Sequence, residues 1–259
     1  MMHMEYTRKK DVFELTIDGK IKKYPIIELP RAFVEWNLGQ RVGFLEHMKD
    51  PAGHGAMRAP AFGAHLPVYI TKNSEETLFP ANAATKGTGF LPKKEYIEYY
   101  IEKFRKIMDD AGTKIEKSEA ALVEAKLKHM EAIREFYSDT EKIDLRCLAG
   151  LEIWPGVTTK NFRNDPRVSL HFLGMPSGHK KPMRYQQWQI NCIWEEIKAG
   201  DPRFDFGSTL RELTLGKVGK SFVPGHIPVE HTPIRGKYPS GWILWVIEAF
   251  DKGLNSTGV

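Results

Sequence analysis

Thr158, Thr159 and Lys160 stand side by side at the opening of a short polar segment that runs into Asp165-Pro166. Two hydroxyls and an ammonium at the first turn of a helix have a recognisable use. The leading amides of a helix lack intrahelical acceptors and carry partial positive charge. Hydroxyl, cation and N–H donors then converge on one spot, which suits a phosphate. A second group of reactive side chains, Glu46, His47, Asp50, His54 and His65, lies in and around a loop rich in glycine, alanine and proline. A third, His226, Glu230 and His231, lies toward the C-terminus. Imidazole with carboxylate suits a transition metal ion, so His47, His54 and His65 are the candidate ligands of a metal-dependent alternative. Imidazoles also titrate near neutral pH, which makes His54 and His231 candidate acid–base catalysts. Arg58 and Arg235 are placed to attract an anionic small-molecule substrate. No HExxH, HxH or CxxC spacing occurs, and no GxSxG, P-loop or helix-opening GxGxxG. Serine hydrolases, P-loop NTPases and dinucleotide folds are disfavoured accordingly.

These residues must be positioned by secondary structure whose signals are uneven. Val12–Ile17, the turn Asp18-Gly19 and a return through Ile27 predict a β-hairpin, with Pro25 marking an edge strand. Residues 31–50 predict a helix followed by a short strand, Arg41–Leu45. Leu66–Ile70 predicts a buried strand, and 71–92 an irregular stretch. Pro92 suits a first helical turn. Ile97, Ile101, Phe104, Met108 and Ala111 recur at helical spacing up to Gly112. A second helix begins near Ser118, with Leu122, Ala125, His129, Ala132, Ile133 and Phe136 on one face. His129 there is expected to be a core residue. The pair at about 93–137 reads as an insertion between strands. Leu145–Ile153 and Arg167–Phe172 predict strands, Tyr185–Lys198 a helix, and Gly241–Ile247 a final core strand. The fold class is α+β: an antiparallel β-sheet or split β-barrel with helical insertions, in one domain over 1–259.

Composition bounds the partners. Apolar residues are 41%, and the 22 glycines bring the wider count to about half, enough for a sizeable core. The net charge of +5 is spread among acids rather than gathered into a stripe, which argues against nucleic acid. Two cysteines, Cys147 and Cys192, make no disulfide framework. The start, Met1–Tyr6, is followed by charge rather than by an apolar leader, and the longest apolar run, Trp242–Ile247, is too short for a bilayer. A cytoplasmic protein without a membrane partner is the expectation.

The stretch Trp154–Phe172, and within it Lys160-Asn161 followed by Asp165-Pro166-Arg167-Val168-Ser169-Leu170-His171-Phe172, resembles the flavin split-barrel superfamily typified by pyridoxamine-phosphate oxidase. The resemblance implies a flavin-binding oxidoreductase acting on a small molecule, with FMN as cofactor. It implies that Thr158, Thr159 and Lys160 bind the flavin phosphate. Gly55–Pro60 is similar to a family strand whose arginine faces the same phosphate, which adds Arg58. Trp154, Trp188 and Tyr185 are candidate stacking surfaces, and a homodimer follows because such barrels seat the cofactor at a dimer interface. Haem and deazaflavin are further ligands of such barrels. The strand expected after the Val168–Phe172 run is not visible, because His179–Arg184 is basic and contains proline. A non-catalytic binding protein is the remaining alternative.

Overall fold

The computed structural model describes residues 6–49, 60–73, 78–112, 118–153, 155–174, 186–215 and 238–253. The first sheet is β1 (Tyr6–Lys9), β2 (Val12–Ile17) and β3 (Lys20–Pro25), antiparallel in that order. Asp18 and Gly19 both take positive φ, 51° and 73°, as the tight turn between β2 and β3 requires. Pro25 sits on the edge strand. Phe13 and Leu15 are buried, and Arg8 lies 4.2 Å over the Trp245 ring, so this sheet packs one face on the body of the protein.

That body is built on six antiparallel strands. They are β4 (Val68–Lys72), β5 (Ala81–Thr85), β6 (Cys147–Leu151), β7 (Arg167–Gly174), β8 (Gln186–Ile197) and β9 (Gly241–Asp251). Their order is β5-β4-β7-β8-β9-β6. The chain leaving β5 turns onto the far edge, where Gly89 and Ala149 exchange N–H···O bonds of 2.8 and 2.9 Å. This bridge brings the segment that follows β5 against β6, so the two edges of the sheet are linked at that point. Alternation sets the sides: Val168, Leu170 and Phe172 are buried while Ser169, His171 and Leu173 are not.

Helices close the remaining surfaces. They are α1 (Arg31–Lys49), α2 (Pro60–His65), α3 (Ile97–Gly112), α4 (Glu119–Ser138), α5 (Val157–Asn164) and α6 (Pro202–Leu215). Between β5 and β6 the predicted helical pair is present as α3 and α4. Ser118 caps α4 by accepting from the Ala121 N–H at 3.2 Å. Together with α6 they enclose an aromatic cluster of Tyr100, Phe104, Phe136 and Phe206. His129 is buried on α4 and donates Nδ1–H to the Leu213 carbonyl at 3.0 Å, the core role expected of it.

Several expectations are corrected. Arg41–Leu45 is helix, not strand, because Phe33, Asn37, Arg41 and Leu45 recur every four residues on the buried face of α1, a period that outweighs Val42 and Phe44. The stretch 71–92 contains β5. Pro92 precedes its helix and bridges Ile143. Tyr185–Lys198 is not a helix: its described part, from Gln186, is β8. Trp188, Ile190 and Cys192 alternate with Gln187, Gln189 and Asn191, a period of two. This strand pairs along β7, Arg167 opposite Ile193 through Gly174 opposite Gln186. It is the strand that the run Val168–Phe172 called for.

Candidate functional site

The Thr158–Lys160 turn forms at the start of α5. Gly156 occupies the N-cap position and supplies no side-chain cap, and the first intrahelical bond runs from Lys160 N–H to the Gly156 carbonyl at 3.2 Å. Thr158, Thr159 and Lys160 therefore share one helical turn. The two threonines are buried and Lys160 is exposed. Thr158 Oγ1 accepts from Asn82 Nδ2 at 3.3 Å. Thr159 donates its hydroxyl to Glu152 Oε2.

Three anchors hold this turn against the six-stranded sheet. Asn161 donates to Thr71 Oγ1 at 2.9 Å and to Asn73 Oδ1 at 3.3 Å, tying α5 to the end of β4. Phe162 stacks on Trp194 at 5.3 Å with the rings 15° apart, and also meets Tyr69 and Trp242. Asp165 accepts from the Arg167 backbone N–H at 3.1 Å and from its guanidinium Nε at 2.8 Å, which turns the chain from α5 into β7. That hydrogen bond raises the Arg167 pKa above its ordinary value and fixes its charge.

Beside the turn lies a buried ion pair. Glu152 is 2% exposed, and both its oxygens accept from Lys86 Nζ, at 3.1 and 3.2 Å. Lys86 also sits 5.1 Å over the Trp242 ring. Trp242 donates to Tyr69 Oη at 3.3 Å, and Tyr69 shares a 2.6 Å bond with Thr88. Asn82, Lys86 and Glu152 escaped the sequence reading. Asn82 lies 76 residues from Thr158 and Lys86 lies 66 from Glu152, in a stretch that read as irregular, while Glu152, seven residues from Thr159, falls in a stretch read only as a strand.

Trp188 is 7% exposed and packs edge-on against Phe33 of α1 at 5.5 Å, opposite Phe172. Its ring contacts are with α1 rather than with α5. His65 is equally occupied. It ends α2, and its Nδ1 faces Arg41 Nη1 at 2.9 Å. An arginine can only donate, so Nδ1 is the acceptor and the ring proton is on Nε2, which has no partner among the described residues. Arg41 is 2% exposed, and its five N–H groups meet Asn37 Oδ1, His65 Nδ1, Tyr137 Oη and the carbonyls of Ala64 and Thr88. Burial lowers the Arg41 pKa, and burial together with Arg41 holds His65 well below its ordinary value.

Among the described residues no three His, Cys, Asp or Glu side chains are placed to hold a metal ion. His54, Asp50, Arg58, Trp154, Tyr185, His226, Glu230, His231 and Arg235 lie outside the described residues. His47 falls within α1, and its side chain is outside them too. Cys147 and Cys192 are free and buried, and burial pushes both thiols up, away from the reactive thiolate form. No described helix is long and apolar enough to cross a membrane.

No protein-family profile matches the chain, and no curated protein matches it. A crystal structure of a candidate 5-nitroimidazole antibiotic resistance protein from Bacteroides thetaiotaomicron is similar at 8% identity and a TM-score of 0.31. That match covers 96% of this chain and 90% of the other.

Proposed function

We propose that the protein is a flavin-binding, oxidoreductase-like barrel that seats the phosphate of FMN on the first turn of α5. One observation carries the reading. The Thr158-Thr159-Lys160 turn, uncapped by any side chain, opens a helix that leads directly into the strand Arg167–Gly174 of a six-stranded antiparallel sheet. This is the setting the resemblance of 154–172 to flavin split barrels calls for. Thr158 keeps its own proton while accepting from Asn82, so it can donate to a phosphate oxygen. Lys160 supplies a cation, and the amides of 157–159 supply oriented donors. The residues present therefore fit a phosphate-bearing cofactor. When bound, the flavin supplies the redox chemistry, and the chain binds and orients it.

Fluorescence titration with FMN tests this. Lys160→Ala is expected to weaken binding by about tenfold or more, the usual worth of a charge-assisted hydrogen bond. Lys126→Ala on α4, which removes the same charge elsewhere, is expected to bind as the parent does. Equal affinity in the two variants would remove the α5 turn from the account.

A further inference from the structure

Thr158 and Thr159 are neighbours of one type, yet their hydroxyls are not equivalent. A hydroxyl carries a single proton. Thr159 gives its proton to Glu152, so it has none to offer an anion while that bond stands. Thr158 is bonded the other way, as an acceptor from Asn82, and among the described residues nothing takes its proton. Glu152 also occupies Lys86, the cation that reaches its carboxylate from the end of β5. One buried carboxylate therefore withholds a hydroxyl and an ammonium from a turn otherwise made for anions. Its charge also opposes any phosphate that approaches.

We propose that Glu152 is the specificity-determining residue of this site. Its carboxylate keeps the turn too weak to retain inorganic phosphate and so reserves it for a ligand that brings further binding surface, such as a flavin ring. The inference rests on the phosphate reading of α5. The physical logic is discrimination by a built-in repulsive element rather than by added attraction. A turn with Thr159 and Lys86 both directed at the ligand would bind any phosphate. With them tied back, the phosphate alone contributes little, and the rest of the ligand decides.

The two partners of the ion pair give opposite predictions, which separates this role from a structural one. In the full-length protein, Glu152→Gln removes the opposing charge and releases Lys86, which is 16% exposed and can turn toward a ligand. Inorganic phosphate, measured by calorimetry and by competition against FMN, is then expected to bind about tenfold more tightly. Lys86→Gln leaves the Glu152 charge unneutralised, and phosphate and FMN are expected to bind about tenfold more weakly. The double variant returns toward the parent. If both single variants weaken binding, or neither changes it, Glu152 is a structural residue and the inference falls. Lys86→Gln alone decides the matter if Glu152→Gln does not fold, because unchanged or tighter binding in it overturns the inference. Parent protein that binds FMN while Glu152→Gln binds phosphate no better overturns this inference and leaves the flavin reading standing. Failure of parent and variants alike to bind FMN or phosphate overturns both.

Discussion

Arg41 is a guanidinium only 2% exposed, and its surroundings explain how that burial is borne. All five of its donors are met, by neutral acceptors on α1, on α4, at the end of α2 and in the chain after β5. No carboxylate among its described contacts balances the charge, and this makes His65 a pH-sensitive partner. Protonating His65 would set an imidazolium 2.9 Å from a guanidinium. The folded state holds His65 below its ordinary pKa of about 6.5, so the unfolded chain takes up the proton first as pH falls. Its contribution to stability is complete above pH 6.5 and is lost below it, with a slope of at most about 1.4 kcal/mol per pH unit. His129, also held low by burial, adds to the same slope. Urea unfolding at pH 7.5 and pH 5.5 is expected to show the loss, and His65→Asn, which keeps an acceptor for Arg41, to reduce it. An unchanged pH dependence in His65→Asn would assign the effect elsewhere. None of this was legible in the sequence. His65 read as a metal-ligand candidate because residue type and a glycine-rich neighbourhood are visible there, whereas a guanidinium 24 residues away is not. Thr158, Thr159 and Lys160 were legible because their chemistry is local, gathered in one helical turn. Asn82 and Lys86 were not, because only the folding of the sheet brings them to that turn, and Glu152, though seven residues from Thr159, read as part of a strand.

Elements with one strong local period were readable, and those with two competing signals were not. The β2–β3 hairpin follows from Asp18-Gly19, and α3 and α4 from long apolar stripes with a serine cap between them. In β8 the bulky apolar residues Trp188, Ile190 and Cys192 alternate with amides, but short strands and helices overlap in such runs, and the partner strand β7 decides the outcome. In α1 the β-branched and aromatic residues 42 and 44 favour a strand locally, while burial of Phe33, Asn37, Arg41 and Leu45 on one face requires a helix. Packing between elements leaves a sharper trace in the glycines. A Cβ at Gly63 would lie 1.9 Å from the Leu173 carbonyl oxygen, so α2 reaches the end of β7 only through glycine. A Cβ at Gly43, on the exposed side of α1, meets nothing within 4 Å. Gly63→Ala is expected to lower stability by about 2 kcal/mol or more. Gly43→Ala is expected to raise it by about 0.5–1 kcal/mol through helix propensity. Thermal denaturation of the two variants checks the contrast, and a destabilised Gly43→Ala with an unaffected Gly63→Ala would contradict the packing described for α2.

At the scale of the whole molecule, the antiparallel sheets and the helices between their strands make an α+β fold, the class that the alternation of strand and helix signals predicted. The six-stranded sheet is bridged across Gly89 and Ala149, the β1–β3 sheet covers it around Trp245, and α5 rests on Tyr69, Trp194 and Trp242. The fold thus places the Thr158–Lys160 turn beside the Lys86–Glu152 pair, and the proposed function makes that turn a phosphate seat. The central claim is that this seat holds the phosphate of a flavin. It is tested most directly by incubating the full-length protein with FMN or with riboflavin, which lacks the phosphate, and recording the visible absorbance of the protein after gel filtration. The account predicts flavin absorbance retained near one equivalent per chain with FMN and largely lost with riboflavin. Equal retention of the two, or retention of neither, would contradict it.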